Sequence, residues 1–131
     1  MDFILYSFIA LIVFGILDFI WLGLIAKQFY RDQLGSLFAK KVKVAPAVVF
    51  YLLFILGLVY FVIEPAVDEA SLSYAAFGGA FLGLLCYATY GLTNWATIEK
   101  WPSKMAVVDI VWGTIVTMAT AVISYAIIAA L

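Results

Sequence analysis

Four long apolar runs, each able to cross a bilayer, dominate this chain and leave room for little else. A transmembrane helix needs about 20 mostly apolar residues. Residues 3–26 form the first run, broken only by Asp18. Residues 44–63 form the second, with Pro46 in its first turn, where a missing N–H is tolerated. Glu64-Pro65 closes that run. Residues 72–98 carry no charge and form the third, with Ser71 placed as an N-cap. Residues 105–131 form the fourth, broken only by Asp109, and Ser103 is placed to cap it after the Trp101-Pro102 break. Of 131 residues, 68% are hydrophobic and 11% charged, whereas a soluble domain carries about 25% charged residues. Lipid is the solvent that makes such a composition sensible. The expectation is an all-α, four-helix transmembrane bundle, one domain over residues 1–131.

The basic residues predict its orientation. Lys27, Arg31, Lys40, Lys41 and Lys43 fall between spans one and two, and Lys100 and Lys104 between spans three and four. The other side carries Asp2, Glu64, Asp68 and Glu69 instead. By the positive-inside rule both basic loops are cytoplasmic and the N and C termini extracytoplasmic. Met1-Asp2-Phe3 lacks the positive start of a signal peptide, so the first run is expected to be kept. In the first basic loop Tyr30, Leu34, Leu37 and Phe38 share a helical face from which Arg31, Asp32 and Lys40 point away. This predicts a short interfacial amphipathic helix, with its lysines near anionic headgroups.

Several chemistries are disfavoured. The chain has no histidine, which argues against haem, most zinc or copper sites and a histidine relay. No cofactor and no metal is expected. Cys86 reads as a small packing residue. No lysine lies in a span to hold retinal, and no basic patch is large enough for nucleic acid.

What remains are two acids inside the apolar runs. A carboxylate at such depth costs a few kcal/mol and normally faces protein or water. Asp18 lies nine residues before Lys27, about 13 Å deep, and Asp109 five residues after Lys104, about 7–8 Å deep. Each is followed three residues later by a tryptophan, Trp21 and Trp112, but the two helices run in opposite directions. Trp112 therefore comes level with Asp18, and Trp21 with Asp109. If spans one and four are neighbours, each indole N–H can donate to the other helix's carboxylate; otherwise the tryptophans are ordinary interfacial belt residues. Span three adds Tyr87, Tyr90, Thr93 and Asn94 near the same depth, with Asn94 the natural amide partner for the acids. Gly79, Gly83, Tyr87, Gly91 and Asn94 share one face, and Gly113, Thr117, Thr120 and Ser124 extend a polar stripe from Asp109. That stripe reads either as a hydrated route or as helix packing, and packing is the favoured reading.

The segments Leu17-Asp18-Phe19-Ile20-Trp21-Leu22-Gly23, Tyr90-Gly91-Leu92-Thr93-Asn94-Trp95-Ala96-Thr97 with Trp101-Pro102, and Val108-Asp109-Ile110-Val111-Trp112-Gly113 resemble an uncharacterised family of small bacterial inner-membrane proteins. That family is defined only as a domain of unknown function, and the resemblance spans nearly the whole chain. Its members usually place an acid before Leu-Thr-Asn; here Gly91 stands in that position, so no third carboxylate carries over. Relatives often lie beside genes for fatty-acyl-modifying enzymes, which implies a membrane-lipid or envelope setting and lipid-modifying protein partners.

Three functions remain open. The favoured one is a membrane protein whose acidic, polar pocket binds a proton, a cation or a small amphiphilic ligand. In size, span count and first-helix acid it is similar to small multidrug-resistance transporters. The second is an enzyme or enzyme subunit acting on lipid or an isoprenoid, with the acids as general acid and base; no nucleophile–base pair or phosphate loop supports it. The third is an accessory subunit without chemistry. Membrane lipid is the expected partner in every case, and a homo-oligomer is compatible with all three. The candidate site residues are Asp18, Asp109, Asn94, Trp21, Trp112, Tyr90, Tyr87 and Thr93.

Overall fold

The computed structural model describes residues 2–37 and 43–131, and the residues described form helices and short connections without strands. Span one comprises α1 (Asp2–Phe19) and a π-helical stretch, Ile20–Ile25. A short helix, α2 (Lys27–Leu34), follows and ends at Gly35, whose φ of 54° suits a residue without a Cβ. Span two comprises α3 (Val44–Leu58), a second π-helical stretch (Val59–Ile63) and α4 (Glu64–Asp68). Spans three and four are single helices, α5 (Leu72–Thr97) and α6 (Ser103–Ala129). All four spans are long and apolar enough to cross a membrane.

The helix ends depart from expectation in two places. Span two does not stop at Glu64-Pro65. Pro65 lacks an N–H, so within this continuous helical span it leaves one carbonyl without its helical donor. The preceding π-helical stretch absorbs the misfit, and the Phe61 carbonyl, which Pro65 cannot serve, accepts the Tyr74 hydroxyl at 3.2 Å. Span four begins at Ser103 itself: Pro102 occupies the cap position and no side chain caps the helix. Ser71 does cap span three, its hydroxyl accepting the Tyr74 N–H at 3.0 Å. In the basic loop, α2 presents Tyr30 and Leu34 inward and Arg31 and Asp32 outward. Phe38 and Lys40, also assigned to that amphipathic helix, lie outside the described residues.

Span one packs between spans two and four, and the most extensive pairing joins spans three and four. Small residues make that pairing close. A Cβ placed on Gly79 would lie 2.9 Å from Ala121 Cβ, and one on Gly83 would lie 2.6 Å from Thr117 Oγ1. Thr117, Thr120 and Ser124 are completely buried in this seam, and Thr120 returns its hydroxyl to the Val116 carbonyl at 2.7 Å. The polar stripe of span four is thus a packing surface. Phe14, Leu58, Val59, Ile63 and Val116 fill the centre. Ile4, Phe8, Ile12, Phe77 and Phe81 project outward, as expected where the surroundings are hydrocarbon. Spans two and three touch through Val59–Ile63 and α4 and diverge toward the lysine-bearing end. That divergence leaves room for a site.

Candidate functional site

Asp18 is buried, with 5% of its surface exposed. Its Oδ2 accepts the Tyr51 hydroxyl of span two, and its Oδ1 accepts the Trp112 indole N–H of span four at 3.3 Å. The expected Trp112–Asp18 pairing is therefore present. Tyr51 is held by its ring, which meets Phe14 edge-on at 5.4 Å.

The reciprocal pairing is not direct. Trp21 does not reach Asp109; its N–H donates to the Tyr30 hydroxyl at 3.1 Å. Tyr30 in turn donates to Asp109 Oδ1 at 2.8 Å. The six-residue π-helical stretch around Trp21 widens the turn, and α2 folds back beneath span four so that a phenol fills the gap. The two indoles stack instead, with centroids 4.6 Å apart and planes 11° from parallel. Among the described residues, every hydrogen bond to either carboxylate comes from a tyrosine hydroxyl or a tryptophan N–H. Burial first, and then the Asp109 carboxylate, push the Tyr30 phenol above its usual value. At neutral pH it is a fixed donor.

Two clefts flank this network. One, of about 660 Å³, lies between span one, α2 and span two, with Asp18, Phe19, Lys27, Tyr30, Arg31 and Tyr51 among its walls. The other, of about 250 Å³, opens where spans two and three diverge and is lined by Phe50, Cys86, Tyr87, Tyr90 and Asp109. Each acid thus borders its own opening, with the indole stack and Tyr30 near both.

Span three contributes less than expected. The Tyr87 ring lies over Gly113, where any side chain would collide with it, and meets Phe54 edge-on at 6.3 Å. Tyr90 is half exposed, packs edge-on against Trp101 at 5.9 Å and borders the smaller cleft. Asn94 lies beside the Tyr90 hydroxyl and hydrogen-bonds neither aspartate. Span three turns its glycines rather than this amide toward span four, so the small-residue seam sets the rotation of the helix. Thr93 is exposed and stands apart from the network. Two residues that do belong are absent from the sequence-predicted site: Tyr30, which reads there only as part of an amphipathic face, and Tyr51. Depth could have found Tyr51: eight residues from Lys43 put it about 12 Å in, level with Asp18.

Residues 3–126, which include every residue of this network, match the family described as Predicted membrane protein (DUF2177). The chain belongs to that family. No curated protein and no solved structure matches it. Membership in DUF2177 agrees with four apolar helices and a multi-pass membrane protein, and the family description assigns no activity.

Proposed function

We propose that this protein binds protons at Asp18 and Asp109 and couples their binding to an amphiphilic ligand in the adjoining cleft, as a small transporter would. One observation carries the reading: two carboxylates within the spans are hydrogen-bonded by neutral donors and border separate clefts. Neutral donors orient a carboxylate without compensating its charge as a lysine or arginine would. Such a group stays responsive to a proton, and intramembrane acids facing cavities commonly serve that role.

The test is infrared difference titration of the protein in nanodiscs, together with proton uptake by proteoliposomes. A protonated-carboxyl band should appear and change with pH. Asp18→Asn and Asp109→Asn should each remove part of it and abolish uptake. If no carboxyl band titrates, and both variants change only the melting temperature, the acids are structural and the proposal fails.

A further inference from the structure

The larger cleft has an order to its walls. Gly15, Phe19, Leu22 and Gly23 form one stripe of span one, and Lys27 and Arg31 of α2 stand where that stripe ends. From Lys27 to Gly15 is twelve residues, about 18 Å at α-helical rise and somewhat less because Ile20–Ile25 is π-helical. That is close to one leaflet's depth of hydrocarbon, half of a core about 30 Å thick. Most of the wall is apolar. The acid within it, Asp18, has both oxygens engaged by Tyr51 and Trp112 and little exposed surface. The cleft's cationic groups are therefore at its mouth. At the far end there is room to spare, since a Cβ added to Gly15 would find nothing within 4 Å.

We infer that this cleft seats one anionic phospholipid, its phosphate at Lys27 and Arg31 and one acyl chain along Leu22, Phe19 and Gly15. Charge complementarity selects this occupant. A cationic amphiphile would have to pass both basic side chains, whereas basic pockets between transmembrane helices hold anionic headgroups. The length of the apolar stripe matches an acyl chain rather than a free phosphate. The inference names a ligand for the cleft of the proposed function, but it needs no proton on either aspartate.

Native mass spectrometry from mixed micelles of phosphatidylglycerol and phosphatidylcholine in equal amounts tests it. Wild type should retain phosphatidylglycerol over phosphatidylcholine by roughly thirtyfold, the scale set by two basic residues at a headgroup at about 1 kcal/mol each. K27Q/R31Q should bring that ratio close to one. G15L, which fills the apolar end and leaves the mouth intact, should reduce retention of both lipids several-fold. K100Q/K104Q removes the same charge from the other basic loop and should leave the ratio unchanged. Equal retention by wild type overturns the inference, as does a preference that survives K27Q/R31Q. Unchanged retention by G15L, or an equal loss in K100Q/K104Q, overturns it too. Intact carboxyl titration beside a lost lipid preference would reject the lipid seat and leave the proton site standing.

Discussion

Gly83→Ala is the substitution that most directly probes how spans three and four are held together. The added Cβ would sit 2.7 Å from Thr117 Cβ, 2.6 Å from Thr117 Oγ1 and closer still to the Gly113 carbonyl. Carbon atoms in contact prefer about 3.5–4.0 Å, so the helices must part by about 1 Å. Overpacking of this kind costs about 1–3 kcal/mol. Alanine also gains about 1 kcal/mol of helix propensity over glycine, which blurs the result taken alone. Gly15→Ala removes the ambiguity. It carries the same propensity gain in a helix, but its new methyl enters open space. The difference between the two variants therefore isolates the packing cost, about 1–3 kcal/mol against Gly83→Ala. Equilibrium unfolding in mixed detergent and sodium dodecyl sulfate micelles, followed by circular dichroism, measures that difference. If Gly83→Ala is as stable as Gly15→Ala, the close seam described here is wrong.

Two further outcomes follow from the geometry. Burial and the Asp109 carboxylate raise the Tyr30 phenol above its usual 10.0, so the folded chain keeps a proton that the unfolded chain gives up. Its contribution to stability is full below about pH 10 and falls as pH rises further; thermal melts of Tyr30→Phe should decline less than wild type over that range, and equal declines would refute the assignment. The charge asymmetry predicts that, in a Cys86→Ala background, Glu69→Cys is labelled by an impermeant maleimide in intact cells and Lys100→Cys only after permeabilisation. The reverse pattern would invert the orientation.

The spans could be read from the sequence because hydrocarbon imposes a length and a composition that few other constraints can imitate. Asp18 and Trp112 could be paired because helix rise converts residue number into depth. Rotation about each helix axis was harder to read. Asn94 was assigned to the acids by type and depth, but the glycine seam decides which face of span three meets span four. Tyr30 was hidden for a related reason: its spacing marks an amphipathic face, and nothing in that spacing says that α2 turns back toward Asp109. Pro65 looked like a terminator because regular α-helical bonding was assumed ahead of it, where the chain adopts a wider turn.

The π-helical stretches at Ile20–Ile25 and Val59–Ile63 also bear on how chain length can drift. A π-turn holds one residue more than the α-turn it replaces. Deleting a single residue there lets the helix close into regular α form, with Asp18 and Tyr51 upstream undisturbed. The same deletion in α5 or early α6 has no surplus to draw on and turns everything beyond it by about 100°. In α6 ahead of Asp109, that rotation would swing the carboxylate away from Tyr30. Spans one and two can thus absorb a change in residue count that spans three and four, locked by their glycine seam, cannot.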